Sequence, residues 1–351
     1  MKTDLSKTAA YDYELPKELI AQDPAEPRDS SRLLVVHRES GRTEDRIFRD
    51  LTEYLRAGDL LVMNDTRVLP ARVAGVKKNE SGDGARVEIF FLNPGARASE
   101  WTALVRPGRK LPEGTKVALD AETEITVGAR LDDGLRTIIF AEDADPLALI
   151  HRRGHTPLPH YITESHADPE RYQTVYAKRE KENSVAAPTA GLHFTPELLK
   201  RLEEKGVRHI FVTLQVGLGT FRPVKAENIA EHVMHTELCE IPPATAAAIR
   251  QTREDGGRVV AVGTTVVRTL ESFAQRYGEI VPGVLDTKLF ISPGYRFQAI
   301  DALITNFHLP MSTLLMLVSA FGGYETMMRV YREAVNKRYR FFSFGDSMFI
   351  E

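Results

Sequence analysis

The amino-acid sequence predicts an α/β fold with a mostly parallel sheet and helices on both faces, interrupted by an inserted small six-stranded β-barrel. Helical spacing alternates with short, continuous apolar runs up to residue 63 and again after residue 146, as is typical of a sheet covered on both faces. Between these stretches, β-branched runs follow one another without a helical pattern. We therefore expect an α/β domain at residues 1–64 and 152–351, with the barrel at residues 65–151.

The first stretch predicts two strands and a helix. Residues 32–37 (RLLVVH) form the first strand, and apolar side chains at helical spacing over residues 47–55 predict a helix that stops at Gly58. Residues 59–63 (DLLVM) are a continuous apolar run, which favours a strand buried on both faces.

The middle of the chain predicts six short strands separated by turn-forming clusters. They cover residues 71–78, 86–92, 101–107, 115–119, 122–130 and 135–142. Closure removes the exposed edges that such strands would otherwise leave, so we expect a closed barrel.

The last stretch returns to alternating strands and helices. Thr195 is the predicted N-cap of a helix with Pro196 at its first position. Further helices are predicted at residues 245–254, 265–277 and 312–321, and strands at residues 207–216, 258–262 and 303–305.

Composition excludes several classes of protein. The 351 residues are 42% hydrophobic, enough for a buried core, and their net charge is −3. The single cysteine, Cys239, excludes an internal disulfide and a cysteine-cluster zinc site. The longest apolar run, residues 309–321, is shorter than the roughly 20 residues that span a bilayer. We therefore expect a soluble, cytoplasmic protein without membrane contact, in which any nucleic acid would bind a local basic patch.

Small or polar residues follow several of the predicted strands. They are residues 64–67 (NDTR), 217–221 (GLGTF), 263–265 (GTT), 306–308 (NFH) and 345–346 (GD). Because ligands of open parallel sheets bind beyond the carboxyl ends of the strands, we expect these segments to meet at one cleft.

Two of the candidate segments have a second interpretation. The glycine turn before Thr264 and Thr265 offers free backbone N–H groups to a ligand, but we favour the simpler interpretation that one of these threonines caps its own helix. For His193, within residues 187–195 (APTAGLHFT), two interpretations are equally favoured. It is either an acid or base, or a loop residue that is hydrogen-bonded to the backbone.

Two further motifs do not support the site that they suggest. Residues 217–219 (GLG) lack the third glycine and the following helix of a dinucleotide fingerprint, so we reject a nicotinamide cofactor. Residues 231–237 (EHVMHTE) lack the H-E-x-x-H order of zinc sites, and a surface segment is favoured over a metal site.

Three groups of basic residues are candidates for contacts with phosphates. They are Arg106, Arg109 and Lys110 in the barrel, His151, Arg152 and Arg153 at the domain junction, and a C-terminal stretch of Arg329, Arg332, Lys337, Arg338 and Arg340 opposed by Glu333 alone. A local excess of this kind is a plausible phosphate track, although most charge runs are solvated faces.

From Tyr11 to the C-terminus the chain resembles the S-adenosylmethionine:tRNA ribosyltransferase-isomerases of queuosine biosynthesis. Matching blocks stand in one order along the chain: GDLLVMNDTRVLPAR, LVRPGRK, RYQTVYA, APTAGLHFTPEL, GLGTFRPV, AVGTTVVRTLES, LITNFHLPMSTLLMLVSAF and YRFFSFGD. The resemblance implies an α/β domain interrupted by a β-barrel, which agrees with the boundaries above.

The resemblance also implies a reaction. Such enzymes transfer and rearrange the ribosyl part of S-adenosylmethionine onto 7-aminomethyl-7-deazaguanine at the wobble position of tRNAs with a GUN anticodon. Epoxyqueuosine-tRNA forms, and adenine and methionine are released. We expect no metal and no obligate protein partner.

This chemistry needs a base for the carbon beside the sulfonium, an acid for the departing adenine and a group that binds the methionine carboxylate. The acid and base candidates are Asp65, His193, His308 and Asp346. The candidates for cofactor binding are Arg67, Thr189, Gly191, Gly263, Thr264, Thr265, Arg268 and Asn306, with Arg67 and Arg268 on the carboxylate. The candidates for tRNA binding are Arg106, Arg109, Lys110, Arg152, Arg153, Arg338 and Arg340.

Two other functions stay open. Gln215 stands where the family pattern carries histidine, and Ser292 where it carries tyrosine, so a catalytically silent RNA-binding protein is one alternative. An ordinary methyltransferase that uses the same cofactor is the other. We rank it last, because no glycine-rich turn follows the strand predicted at residues 32–37.

Overall fold

The continuous apolar runs form the central strands of a large sheet. The computed structural model describes residues 3–79, 82–217, 224 and 226–351, with the backbone alone at 82 and 83. Within this part of the chain the sheet has nine strands: β1 (Arg32–Val36), β2 (Thr43–Ile47), β3 (Leu60–Asn64), β12 (Arg208–Leu214), β13 (Glu237–Ile241), β14 (Val259–Val262), β15 (Gly283–Thr287), β16 (Ala302–Asn306) and β17 (Ser347–Ile350). Two short strands, β4 (Arg67–Val68) and β11 (Glu182–Ser184), lie outside it.

The sheet is mixed, which corrects the expectation of a mostly parallel one. Its order is β15-β13-β12-β3-β14-β16-β17-β1-β2. The pairs β12–β3, β3–β14, β14–β16 and β17–β1 are parallel, whereas β15–β13, β13–β12, β16–β17 and β1–β2 are antiparallel. The error arises because β2, β13, β15 and β17 were not predicted, and each of the four antiparallel pairs contains one of these strands. Two of them, β2 (TEDRI) and β15 (GVLDT), lack the continuous apolar run on which the prediction depended.

The described residues contain seven α-helices, one of which begins directly after the predicted cap, Thr195. They are α1 (Leu51–Tyr54), α2 (Pro146–Arg153), α3 (Pro196–Glu204), α4 (Pro243–Glu254), α5 (Thr264–Tyr277), α6 (Thr313–Gly322) and α7 (Tyr324–Asn336). The side chains of Thr195 and Ser312 accept the backbone N–H groups of Leu198 and Leu315, which fixes the starts of α3 and α6.

Alternate residues of the central strands bury both faces of the sheet. Leu61 and Met63 of β3 pack with Leu198 of α3 in one core cluster. Their neighbours on the opposite face, Leu60 and Val62, are also buried. The carboxyl ends of these strands are therefore held on a rigid support.

Six strands form a closed antiparallel barrel, as predicted. They are β5 (Arg72–Asn79), β6 (Gly82–Pro94), β7 (Glu100–Arg106), β8 (Lys116–Ala118), β9 (Glu124–Arg130) and β10 (Arg136–Ile139), in the order β10-β7-β6-β5-β8-β9. Gly75 allows the close approach of neighbouring strands, because a Cβ there would lie 2.7 Å from Cγ1 of Val117.

The described chain separates into two compact units. One contains the chain up to Arg67, Pro159–Lys181 and Ala187–Glu351, and the other contains Val68–Leu158 and Glu182–Ala186. The large sheet belongs to the first unit and the barrel to the second. Within the described residues, no helix has the length and apolar character needed to cross a membrane.

Candidate functional site

A cavity lies at the carboxyl ends of the central strands. β12, β3, β14 and β16 are parallel neighbours, so their carboxyl ends share one edge of the sheet. The cavity holds about 750 Å³ of empty space, counting its open mouth. It is lined by Val216 after β12, Gly263, Thr264 and Thr265 after β14, and Thr305 to Pro310 at and after the end of β16.

Loops from elsewhere in the sheet-containing unit complete the cavity. Residues 187–190 and Tyr161 contribute to the wall, as do Phe342 and Ser343. The last two reach this edge because β17 runs antiparallel to β16, so that the residues before β17 lie beside the end of β16. Of the five segments predicted to meet at one cleft, residues 263–265 and 306–308 line this cavity, whereas residues 64–67, 217 and 345–346 do not.

The cavity brings together half of the residues predicted as catalytic or cofactor-binding. Thr189, Gly263, Thr264, Thr265, Asn306 and His308 line it. Asp65, Arg67, Gly191, His193, Arg268 and Asp346 are absent from its lining.

The start of α5 presents backbone N–H groups rather than a capped end. Gly263 is the N-cap, with a φ of 95°, and no side chain caps the helix. The favoured interpretation of Thr264 or Thr265 as a cap is therefore wrong, since both residues lie inside the first turn. The hydroxyl of Thr265 is buried and has no hydrogen-bond partner among the described residues. The first N–H groups of a helix have no partner within the helix, so this turn is suited to an oxygen-bearing ligand.

His193 is buried in a hydrogen-bonded chain beside the cavity. Its Nδ1 lies 2.7 Å from Oγ of Ser31, and its Nε2 lies 3.1 Å from Nδ2 of Asn306. Its ring stacks on Phe48, with centroids 4.9 Å apart. Burial, with smaller effects from Arg340 and Arg28, lowers the pKa of His193 to about 3, so that the imidazole is neutral at pH 7.

His308 is the imidazole that lines the cavity. The hydroxyl of Tyr331 accepts the backbone N–H of His308 and lies 3.1 Å from Nδ1, while Nε2 lies 3.3 Å from Oγ1 of Thr305. Burial lowers the pKa of His308 to about 3, and this imidazole is also neutral.

Asp65 and Arg67 follow β3 but form ion pairs away from the cavity lining. Asp65 accepts a hydrogen bond from the Thr213 hydroxyl at 2.7 Å and lies 2.9 Å from Nζ of Lys178. Arg67 lies 2.8 Å from the carboxylate of Glu170. These partners hold both side chains without a ligand.

Asp346 and Gly191 have clear structural roles. The Asp346 carboxylate accepts the backbone N–H groups of Arg32 at 2.9 Å and Arg340 at 2.8 Å, which joins the start of β17 to β1. Gly191 leaves room for a neighbouring side chain, because a Cβ there would lie 2.0 Å from the hydroxyl of Tyr176.

Arg268 is buried on α5 one turn beyond Thr264 and Thr265. Its Nη1 lies 2.5 Å from the Glu237 carboxylate, which also accepts the backbone N–H of Gly217. Its Nε and Nη2 have no hydrogen-bond partner among the described residues. Of the predicted segment 217–221, only Gly217 falls within the described residues.

The aromatic wall of the cavity was not predicted from the sequence. Tyr161 and Phe342 both line it, with ring centroids 4.4 Å apart. Phe342 has a φ of 73°, a left-handed conformation that is rare for a bulky residue. The aromatic run in residues 341–344 was visible in the sequence, but this conformation was not.

The basic candidates differ in how far other charges neutralise them. Arg106, Arg109, Lys110, Arg153 and Arg338 are exposed, whereas Arg152 is paired with Asp120 at 2.7 Å and Arg340 with Asp346 at 3.4 Å. In the C-terminal stretch, Lys337 contacts Asp45 as well as Glu333. Glu333 is the only acidic residue within the C-terminal stretch itself, but Asp45 from another part of the chain also neutralises it. The excess of positive charge there is therefore smaller than expected.

No group of three or more His, Cys, Asp or Glu side chains is placed to hold a metal ion in the part of the chain that the structure describes. His232, one of the two histidines in residues 231–237, packs near Phe290, with ring centroids 5.8 Å apart.

Comparisons with known proteins agree with the sequence motifs. A family model described as queuosine biosynthesis protein matches residues 8–350. The S-adenosylmethionine:tRNA ribosyltransferase-isomerase of Thermotoga maritima is 53% identical over 346 residues, which cover 98% of this chain and 99% of that protein. The protein of the same name from Moorella thermoacetica is 55% identical over 342 residues, which cover 97% and 98%.

A solved structure also matches over nearly the full length. The crystal structure of S-adenosylmethionine tRNA ribosyltransferase from Thermotoga maritima covers 97% of this chain and 100% of its own, with 44% identity and a TM-score of 0.57. The family predicted from the motifs is thereby confirmed: this chain belongs to the S-adenosylmethionine:tRNA ribosyltransferase-isomerase family of queuosine biosynthesis enzymes.

Proposed function

We propose that this chain transfers the ribosyl part of S-adenosylmethionine to 7-aminomethyl-7-deazaguanine at the wobble position of a tRNA with a GUN anticodon. Rearrangement of the ribosyl part gives epoxyqueuosine-tRNA, and adenine and methionine are released. The observation that supports this proposal best is the cavity at the sheet edge, which combines helix N–H groups, hydroxyls, an amide, an imidazole and an aromatic wall.

S-adenosylmethionine is the proposed occupant of this cavity. The N–H groups at the start of α5 and the hydroxyls of Thr264 and Thr265 are suited to ribose oxygens or a carboxylate. The aromatic faces of Tyr161 and Phe342 are suited to a sulfonium or a flat base. Thr189 and Asn306 add polar contacts on the cavity wall.

Arg268 is the stronger of the two candidates for the methionine carboxylate. It is buried, and two of its donor atoms have no partner among the described residues. A buried guanidinium with unused donors favours a bidentate carboxylate. Both side chains already pair with a carboxylate, Arg268 with Glu237 and Arg67 with Glu170. Arg268 is favoured because it lies on α5, the helix whose start lines the cavity.

His308 is the candidate for proton transfer at the ribose. The sulfonium acidifies the neighbouring 5′ carbon, a base removes a proton there, adenine leaves with a proton from an acid, and the aminomethyl nitrogen of the RNA attacks. Of the four acid and base candidates, His308 alone lines the cavity. Asp65 and Asp346 are each held by other groups.

The direct test measures adenine release by chromatography. S-adenosylmethionine is incubated with the enzyme and either unmodified tRNA or tRNA that carries the aminomethyl base. We expect adenine only with the modified tRNA, in step with incorporation of the ribosyl carbons into RNA. Absence of adenine from a folded preparation at saturating substrate contradicts the proposal, and methyl transfer to RNA would identify a methyltransferase.

A further inference from the structure

The carboxamide of Asn306 is held through its nitrogen atom. Its Nδ2 donates to the carbonyl oxygen of Phe342 at 3.0 Å and to Nε2 of His193 at 3.1 Å. Both amide hydrogens are thus used. The remaining polar atom, Oδ1, accepts a long hydrogen bond from the hydroxyl of Thr189 at 3.4 Å, which leaves one lone pair of this oxygen unused. Asn306 lines the cavity, and because both hydrogens of Nδ2 are engaged, the unused lone pair of Oδ1 is what the amide can offer to a ligand there.

This orientation cannot be reversed without loss of hydrogen bonds. A rotated amide would place Oδ1 against the Phe342 carbonyl oxygen, and two acceptors would face each other in a buried place. Donation from Nδ2 requires a lone pair on Nε2 of His193, so the ring hydrogen lies on Nδ1. That hydrogen is donated to Oγ of Ser31, 2.7 Å away. Ser31 therefore fixes the tautomer that His193 needs.

We propose that His193 is a positioning residue, which holds Oδ1 of Asn306 toward the cavity so that this oxygen accepts a hydrogen bond from the exocyclic amine of the adenine. The inference rests on the proposed binding of S-adenosylmethionine in this cavity. An acceptor with no free N–H selects an amino group and rejects a carbonyl at the same position. The Phe342 ring, beside the same amide, gives the flat base a surface on which to lie.

The arrangement argues against His193 as an acid or base. His193 is 4% exposed and does not line the cavity. A proton taken up at Nε2 would remove the acceptor that orients Asn306.

The test compares His193→Gln with His193→Leu by titration calorimetry of S-adenosylmethionine and S-inosylmethionine, in which a carbonyl replaces the amine. Glutamine keeps an acceptor near the position of Nε2, and leucine is of similar size without one. We expect His193→Gln to bind S-adenosylmethionine within about threefold of the wild type, and His193→Leu about tenfold more weakly, the loss of about one hydrogen bond. The wild type should bind S-inosylmethionine at least about tenfold more weakly, and this comparison needs no variant.

The possible outcomes separate the inference from the proposed function. Equal binding of both nucleosides by the wild type would contradict the positioning role. So would a His193→Gln variant that loses as much activity as His193→Leu and also loses one limb of the pH–rate profile. A raised KM for tRNA with unchanged binding of S-adenosylmethionine would place Oδ1 against the RNA base and overturn the assignment to adenine. If the wild type does not bind S-adenosylmethionine at all, the proposed function fails with the inference.

Discussion

At the level of single residues, burial and hydrogen bonding determine the protonation state and the partners of the predicted acid and base residues. His193 and His308 are held neutral by burial, and Asp346 is held by two backbone N–H groups. The residue types that the reaction needs were present in the sequence. Their partners were not predictable, because Ser31, Tyr331 and Arg32 are far from them along the chain.

The two buried histidines make stability depend on pH. In the folded chain each of these histidines has a pKa of about 3, whereas the pKa of an unfolded histidine is near 6.5. As the pH falls from 6.5 toward 3, the unfolded chain therefore binds protons that the folded chain does not bind, and the folded state is destabilised. The stabilisation is complete above pH 6.5. At pH 5 each histidine should reduce the free energy of unfolding by about 2 kcal/mol.

Denaturant unfolding at pH 7 and pH 5 checks this prediction. His193→Gln and His308→Gln should each reduce the difference between the two pH values. His166→Gln, at an exposed position, serves as the control for the loss of a histidine outside the core. The same difference in all four proteins would show that the buried histidines do not titrate as described.

Asp346→Asn separates a structural carboxylate from an acid or base. One of the N–H groups of Arg32 and Arg340 would then face an NH₂ group, which should cost about 2 kcal/mol of stability. We expect a lower unfolding midpoint and a nearly unchanged turnover rate per folded molecule. If turnover instead slows by about two orders of magnitude while stability stays the same, Asp346 takes part in proton transfer.

At the level of elements, the sequence predicted the barrel and the helices better than the direction of the strands. The six barrel strands, the Thr195 cap and α5 appear close to their predicted bounds, because local turn and capping chemistry determines them. Strand direction depends on where the chain returns to the sheet, and β17 enters antiparallel to β16 after α7. The positive φ values of Gly263 and Phe342 likewise depend on tertiary contacts.

The start of α5 offers a matched pair of substitutions. Gly263 and Gly278 border the helix with φ values of 95° and 77°, but only Gly263 lines the cavity. Gly263→Ala and Gly278→Ala should each cost about 1 kcal/mol or more of stability, because a Cβ is strained at such φ values. Only Gly263→Ala should also weaken binding of S-adenosylmethionine, by tenfold or more. Equal affinities of the two variants in titration calorimetry would contradict a ligand role for this turn.

At the level of the whole molecule, the barrel carries exposed positive charge that the cavity chemistry does not use. Arg106, Arg109 and Lys110 are exposed at and after the end of β7. If these residues contact phosphates, replacing all three with glutamine should weaken tRNA binding. The slope of the logarithm of the binding constant against the logarithm of the salt concentration should become smaller in magnitude by about 2 to 3. Arg152→Gln, in helix α2 of the same compact unit, is the control, since its charge is already paired with Asp120. Filter binding at low and at moderate salt measures both slopes, and an unchanged slope in the triple variant would identify a solvated face.

A structure of the enzyme with S-adenosylmethionine tests the central claim most directly, because it locates the nucleoside without reference to activity. The account predicts the adenine against Phe342 with its amine toward Asn306, and the ribose 5′ carbon nearest His308 among the candidate bases. Density for the nucleoside outside the cavity bounded by Thr264, Asn306 and Phe342 would contradict it.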